Sequence, residues 1–427
     1  MKNIRKFNTT ADMESAVLEN VSINYNVETD AVLSMPLNPK TIDYLTMYTT
    51  FEALEDGTFS FTKSGTGDNI QYSKDNGTTW ASLAYGKSVS VVTGDKVMWK
   101  STIAPSTGPS PYGIGTFSSS NKFNVSGNIM SLLYGDDFNG LTSLDGNDYA
   151  LYDLFKGCNG LIDTFNLILP ATTLAECCYS NMFTKCANLT TVPELPATTL
   201  KYACYFAMFY HCTSLTTAPE LPVTTLAEKC YGNMFSGCTS LTTAPELPAT
   251  TLVDSCYYGM FSSCTNLTTA PELPATTLAS SCYECMFSGC TSLTTAPELP
   301  VTTLAEDCYA TMFAKCTSLK TAPELPATTL AEGCYWNMFS GCRSLTIAPE
   351  LPATTLVDYC YEQMFENCSS LNHITMLATN ISANDCLSYW VRYVSSTGTF
   401  VKHPDMTSLP TGVDGIPYGW TVEDAVL

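Results

Sequence analysis

The hydrophobic positions of this chain repeat with a fixed spacing of 26 residues over roughly half of its length. A Leu-Pro pair returns in constant phase, and a Met-Phe pair follows it in every unit. A degenerate copy, Leu154-Phe155, stands two residues out of phase and leads into eight regular units. Such internal self-similarity predicts a repeat architecture. The Leu-Pro pairs begin at Leu169, Leu195, Leu221, Leu247, Leu273, Leu299, Leu325 and Leu351.

Each unit carries one stripe of apolar side chains at fourfold spacing, which predicts a short helix. In the unit 325–350 the stripe and its flanking rings are Leu330, Cys334, Tyr335, Met338, Phe339 and Cys342. Thr329, followed three residues later by Glu332, has the pattern of a capping box at the start of that helix. Gly341 suits a left-handed cap at its end. Pro349 and Pro352 then prevent helix from continuing into the next unit.

The residues between the helix and the prolines predict a short extended segment from Ser344 to Ala348, with Leu345 facing the interior. Each unit then consists of a strand, a proline-rich bend, a helix and a turn. One unit cannot bury its apolar stripe alone, but stacked units share a continuous core. The prediction is an α/β repeat solenoid of 26-residue strand–helix units, with right-handed coils rising about 5 Å each.

The repeated motif resembles the BspA-like (treponemal-type) leucine-rich repeat. The resemblance rests on Pro, Leu, a predicted helix that ends in an apolar residue and Phe, then two residues and Cys, and finally Ser-Leu. It covers roughly residues 150–376, and the units are expanded around Ala348-Pro349-Glu350. The resemblance implies a curved solenoid with a role in adhesion or surface recognition. It does not specify a ligand.

The residues on either side of the repeats predict three further regions. Residues 41–135 predict a small all-β, sandwich-like domain, because Phe59 and Phe61 alternate with polar residues and Asn76-Gly77 is a hairpin signal. Residues 136–376 form the predicted solenoid, and 377–427 its C-terminal cap. Residues 1–40 are expected to be an attachment segment. This segment resembles the N-terminal segments of structural proteins from phages of gut bacteria, and the tail resembles terminal caps of their repeat proteins.

Two columns of cysteines run through the repeats on the predicted inward stripe, where cysteine acts as a small hydrophobic residue. This pattern favours a core of reduced cysteines over a disulfide framework. Zinc sites are also disfavoured, because three histidines and one Cys-x-x-C do not supply the four ligands that a zinc ion needs. Cys177 and Cys285 lie off the columns and are expected to be exposed and reactive. The predicted core includes Cys230, Cys256, Cys308, Cys334, Met338 and Phe339.

Two other columns consist of side chains that could bind a ligand or a metal ion. A tyrosine column from Tyr179 to Tyr361 is expected to be half-buried, with its hydroxyls at the surface. A glutamate column could bind Ca²⁺ through stacked carboxylates. We favour a solvated edge for this column, since calcium sites usually mix carboxylates with carbonyls at closer spacing. The glutamates named as candidate ligands are Glu220, Glu246, Glu272, Glu298 and Glu324.

The two residues between Tyr and Met change most from unit to unit, so they are expected to face outward. Large rings stand at such positions, or beside them, although the stack does not require a ring there. Exposed aromatic side chains of this kind are candidate recognition residues. They are Tyr202, Phe206, Tyr258, Trp336 and Tyr359.

The composition of the chain disfavours several classes of function. A net charge of −21 without a Lys/Arg cluster disfavours nucleic acids and anionic membrane surfaces. No motif of a hydrolase, metalloprotease or phosphate-binding enzyme is present, so no enzymatic activity and no cofactor are expected.

Two hypotheses remain. The first is a phage virion surface protein, a head or tail fibre or decoration protein. Its N-terminal segment would bind other virion proteins, and its solenoid would bind a host or mucosal protein or glycan. The protein would form a homotrimer, as phage fibres generally do. The second is a BspA-like bacterial cell-surface adhesin. The opening residues lack the apolar run of a secretory signal, which favours the first.

Overall fold

A computed structural model of the chain describes residues 43–62, 70–101 and 113–426. The predicted attachment segment 1–40 lies outside the described residues. The described part forms one compact unit that starts with β-strands and continues as a stack of coils. Among the described residues, no helix has the length and hydropathy needed to cross a lipid bilayer.

The first part of the described chain is a β-region with two short 3₁₀ helices (Tyr44–Thr46 and Gly135–Asp137) and one short α-helix, α1 (Ser131–Tyr134). Within the described residues α1 is the sole α-helix. The strands are β1 (Thr49–Ala53), β2 (Gly57–Thr62), β3 (Ile70–Ser73), β4 (Ala81–Ser82), β5 (Ser88–Val91), β6 (Lys96–Ser101), β7 (Thr116–Ser119) and β8 (Phe123–Asn128).

These strands form two sheets that pack face to face, as the sandwich prediction requires. One sheet has the order β8-β1-β6-β3-β4, and the other has the order β5-β2-β7. Asn76 and Gly77 have φ of 58° and 81°, which is the left-handed pair that a tight turn between β3 and β4 needs. The rings of Phe51 and Phe59 meet at 5.3 Å, and those of Phe51 and Phe117 at 4.8 Å, in the core between the sheets.

The sandwich also covers the first end of the coil stack. Strand β8 pairs in parallel with β9 (Leu161–Asp163) and β10 (Leu167–Ile168), which belong to the degenerate first coil. Phe155 of that coil stacks on Phe117 of the sandwich at 5.7 Å and on Phe183 of the next coil at 5.5 Å. The two cores are therefore continuous, and the exposed end that a solenoid must cover is sealed by the β-region.

The predicted helices of the repeats do not form. In the unit 325–350 the amide of Met338 donates to the carbonyl of Tyr335 (3.2 Å), and that of Cys342 donates to Phe339 (3.0 Å). These bonds span three residues rather than four, so they close β-turns. The amide of Phe339, between them, donates instead to Met364 of the next coil at 2.9 Å. The prediction of a strand–helix unit is therefore wrong. Each coil instead contains a series of consecutive β-turns, which we call its turn run.

A left-handed residue recurs every four positions along each turn run. Gly333, Asn337 and Gly341 have φ of 58°, 55° and 75°. The chain consequently sends two side chains inward and the next two outward, giving a period of four. This spacing mimicked a helical stripe, although an α-helix has a period of 3.6. The capping box at Thr329 and Glu332 was wrong for the same reason, since Thr329 forms a β-bridge with Thr303 of the preceding coil.

The extended side of each coil pairs with its neighbours through single parallel bridges instead of continuous strands. Thr243 bridges Thr269, and Thr251 bridges Thr277. Leu345 is fully buried, as expected for the extended segment. The phenylalanines of successive coils stack at centroid distances of 5.5–5.9 Å with interplanar angles of 2–9°. The coils therefore stack in register with almost no rotation between neighbours.

The last coil ends in a different structure. Strands β11 (His373–Met376), β12 (Thr399–Lys402) and β13 (Thr421–Asp424) form a parallel sheet in that order. Left-handed residues continue at Asp385, Tyr389 and Tyr393, so repeat geometry extends past residue 376 into the region assigned to the cap. Trp390 occupies the phenylalanine position and donates its Nε1–H to the Gly415 carbonyl at 3.0 Å. This bulky ring closes the aromatic column.

The turn geometry predicts the sign of a glycine substitution. In a helix, Gly333→Ala would stabilise the protein by about 1 kcal/mol. In the turn run the same change should lower the free energy of unfolding by about 1–2 kcal/mol, because Ala is strained at positive φ. A Cβ at Gly333 would also collide with Asp307 Oδ1 of the preceding coil. Urea and thermal denaturation of the full chain would measure the change.

Gly341→Ala provides the matched comparison. Its Cβ would meet Lys315 at 3.5 Å or more, which is an ordinary contact, so only the φ of 75° opposes it. We expect a smaller loss of stability than for Gly333→Ala. A gain in stability for Gly333→Ala would contradict the turn geometry and restore the helix.

Candidate recognition surface

The inward pairs of each turn run are Cys-Tyr and Met-Phe, and they make up the core of the stack. Met338 and Phe339 are fully buried, with an exposed fraction of 0%. The other residues named as core are also fully buried, namely Cys230, Cys256, Cys308 and Cys334. The sequence thus located the inward side of the repeats although it assigned them the wrong backbone.

The second cysteine column has a hydrogen-bonding role as well as a packing one. The Cys264 thiol donates to the Phe235 carbonyl of the preceding coil at 3.1 Å. That carbonyl also accepts the amide of Cys238 in its own coil at 3.0 Å. The same thiol bond recurs down the stack with lengths of 3.0–3.1 Å. Cysteine therefore fills a small apolar space and supplies a donor between coils.

The prediction that the two off-column cysteines are exposed is wrong for Cys177, which is buried, and Cys285 is half-buried. Cys177 is 7% exposed, and burial raises the pKa of its thiol, although a bond with Tyr149 opposes that shift. Cys285 is half-buried, and burial raises its pKa to about 11, with a further contribution from the Glu284 carboxylate. A thiol with a raised pKa is mostly protonated at neutral pH and is a poor nucleophile.

The prediction that the tyrosine column is half-buried was also wrong. Its rings are buried to within 2% of full burial and stack between coils at 5.7–6.1 Å. Burial raises the pKa of Tyr179, Tyr231 and Tyr361. These hydroxyls lie inside the stack, so the tyrosine column does not contribute to an outer binding surface.

The glutamate column lies at the surface on the extended side of the coils. All its members, including Glu220, Glu246, Glu272, Glu298 and Glu324, are exposed. In the described part of the chain, no group of three or more His, Cys, Asp or Glu side chains is arranged to hold a metal ion. Exposed threonine pairs such as Thr242-Thr243 and Thr250-Thr251 flank the column on the same side.

The candidate recognition rings fall into separate coils. Tyr202 and Phe206 share the unit 195–220, whereas Tyr258, Trp336 and Tyr359 lie in three other units. Tyr202 and Tyr359 are each 38% exposed, and the other three rings are half-buried. Tyr202 and Phe206 stand on the outer side of the same turn run, four residues apart, whereas Trp336 and Tyr359 lie in two adjacent coils.

Comparison with known families agrees with this geometry. The family described as the BspA type leucine rich repeat region matches in six copies, over residues 152–268, 208–322 and 309–387. These matches cover more than half of the chain. The chain belongs to the BspA-type leucine-rich-repeat family. No curated protein matches the sequence.

In this BspA-type protein the unit 195–220 contains two further outer rings that sequence reasoning missed. Tyr210 and His211 follow Phe206 on the same turn run, and their rings meet at 4.3 Å. Tyr210 is half-buried and His211 is exposed. A comparison of the position after Phe would have found Tyr210, because most other units hold Ser there, for example Ser236 and Ser340.

Thiol labelling tests the buried columns of this BspA-type protein. The chain has 20 cysteines, all of them free. With a thiol reagent at about pH 8, the native protein should react only slowly and at Cys285, since about one thiolate in a thousand exists three units below the pKa. Denatured protein should react at every cysteine. Mass spectrometry of labelled peptides would identify the sites.

Cys285→Ser is the control for this measurement, and it should abolish the slow native reaction. Rapid native labelling of Cys177, or of any cysteine in the two columns, would contradict the burial described above.

Proposed function

We propose that this chain is a non-enzymatic surface-recognition protein, in which a uniform stack of coils displays variable side chains. One observation carries the proposal. The inward positions repeat almost unchanged, while the outward pair between Tyr and Met differs from unit to unit, as in Phe206-Ala207, Trp336-Asn337 and Glu362-Gln363. A protein whose constant positions are structural and whose variable ones face outward is suited to binding.

Membership in the BspA-type family supports this proposal, because proteins of that family are often adhesin-like surface proteins. The buried thiols also argue for binding instead of catalysis. Their raised pKa values keep these thiols protonated, so they are poor nucleophiles. We propose no cofactor, and we treat the glutamate column as a solvated edge.

Within that class we propose a phage virion surface protein, a head or tail fibre or decoration protein assembled in the host cytoplasm. The resemblance of residues 1–40 to phage structural proteins supports this placement. The segment would contact other virion proteins, and the solenoid would contact a host or mucosal surface. The second candidate is a bacterial cell-surface adhesin, which the BspA-type repeats favour.

A binding experiment tests the general proposal. The labelled full chain should bind gut bacterial cells or mucin-coated surfaces in a saturable manner. A variant with Phe206→Ser, Tyr258→Ser and Trp336→Ser should bind at least tenfold more weakly, because outer aromatic rings dominate recognition energies. Ser is the residue that another unit has at this position, Ser180, so the fold should be retained.

Glu220→Gln, Glu272→Gln and Glu324→Gln together form the matched control, on the extended side of the coils. This variant, and chelation of calcium with EDTA, should leave binding unchanged. Absence of saturable binding to any cell or mucin surface would contradict the general proposal.

The location of the protein is tested separately. Mass spectrometry of purified phage particles from the source community should detect peptides of this chain in stoichiometric amounts, including its N-terminal residues. Detection only in bacterial outer-surface fractions would overturn the virion placement and support the adhesin.

A further inference from the structure

One turn run departs from all the others in its outer side chains. The residue just before the first left-handed position is acidic in most units, for example Glu176 and Glu228, but it is Tyr202 in the unit 195–220. The residue after the inward Tyr is Phe206 there, and the residue after the inward Phe is Tyr210. We call Tyr202, Phe206, Tyr210 and His211 the aromatic strip.

The four-residue period of the turn run aligns this strip. Tyr202, Phe206 and Tyr210 stand four positions apart, so all three project to the outer side of one coil. His211 has a φ of 57° and turns its ring against Tyr210 at 4.3 Å. Large outward rings do not serve the core, which the inward Tyr205 and Phe209 fill. The strip is therefore a linear, partly exposed row of rings.

The following coil leaves room for these rings. A Cβ at Gly232 would lie 2.9 Å from the Phe206 ring, and one at Gly237 would lie 2.8 Å from the His211 ring. The two rings thus lie against glycines of the neighbouring coil, where a larger residue would not fit. An aromatic row supported in this way loses little freedom on binding.

Lysines surround the strip although the chain as a whole is strongly acidic. The amide of Lys185 donates to the Tyr210 carbonyl at 2.7 Å, which places this exposed residue beside the strip. Lys201 is exposed and precedes Tyr202. Lys229 lies with Nζ 5.5 Å from the centre of the Tyr202 ring. They stand in three successive coils, so the sequence itself shows no lysine cluster.

The ion pairs leave two of these charges available. Lys229 pairs with Glu228 at 3.3 Å, whereas Lys185 and Lys201 form no ion pair within the described residues. The carboxylates of Glu176 and Glu228 flank the strip in the adjacent coils, and Tyr202 interrupts their acidic column. On the strip, rings and ammonium groups that have no ion pair among the described residues therefore lie close together.

We infer that the aromatic strip binds a linear acidic glycan, a chain of sugar rings that carry carboxylate or sulfate groups. The aromatic faces are negatively polarised and attract the positively polarised C–H groups of sugar rings. Lys185 and Lys201 would pair with the acidic groups. An added peptide strand is a poor fit, because the strip's backbone amides already donate elsewhere, as Ala203 does to Glu228 and Ala207 to Gly232.

This inference rests on the proposed function and specifies its ligand class. The test measures binding of the full chain to immobilised hyaluronan, chondroitin sulfate and the neutral polysaccharide dextran. The two acidic glycans should bind, with an affinity that falls as salt is added, and dextran should not bind.

The test variant carries Tyr202→Glu, Phe206→Ser and Tyr210→Ser, which are residues that other units hold at these positions. It should bind the acidic glycans at least tenfold more weakly. Lys201→Ala, which matches Ala175 and Ala227, should weaken binding and reduce its salt dependence. Tyr418→Ser, which removes a 71% exposed ring from the distant C-terminal region, is the control and should change nothing.

Binding of dextran as tightly as the acidic glycans, unchanged affinity of the strip variant, or no binding to any of the three would overturn the inference. The proposed function has a separate outcome. If the chain binds cells or mucin through a protein while all three polysaccharides fail, surface recognition stands and the glycan inference falls. If it binds no surface at all, both fall.

Discussion

The stack depends on one interaction, the hydrogen bond from an amide in a turn run to a carbonyl in the next coil. Alternate amides make this bond, as Phe235 does to Met260 and Phe261 to Met286. The amides between them close turns within their own coil. Both sets of backbone groups are therefore satisfied without helix or continuous sheet, which the burial of this backbone requires.

This bonding scheme imposes a conformational constraint on every coil. Alternate amides point to the neighbouring coil only if the chain reverses regularly, and the reversal places a residue at positive φ every four positions. Non-glycine residues adopt that conformation at a cost of about 1–2 kcal/mol. Asn337, Lys315 and Tyr359 nevertheless do so. The burial of two inward pairs per coil and the ring stacking offset this cost, which explains why the inward residues vary so little.

The period of the repeats, their inward residues and the β-region could be predicted from the sequence. The backbone conformation of the repeats could not. Periodicity shows which side chains share a side, so Met338 and Phe339 were assigned correctly. It does not distinguish a helix from turns of period four when one stripe spans only three turns, as Leu330 to Cys342 does. Cys177 was expected to be exposed, but it is buried and its thiol hydrogen-bonds with Tyr149 of the preceding coil. Contacts between coils are the part that a one-dimensional pattern does not contain.

Because of this bonding scheme, the outer side chains contribute little to the stability of the coils. The constant backbone ladder and inward pairs hold each coil, so an outer side chain is limited mainly by the residue that faces it one coil away. Phe206 is compatible with Gly232, and His211 is compatible with Gly237, because these glycines give the rings space. A large outer ring in one coil therefore needs a small residue opposite it in the next coil. The pairing of large rings in one coil with glycines in the next is the reason to locate binding there, and not along the uniform threonine and glutamate columns.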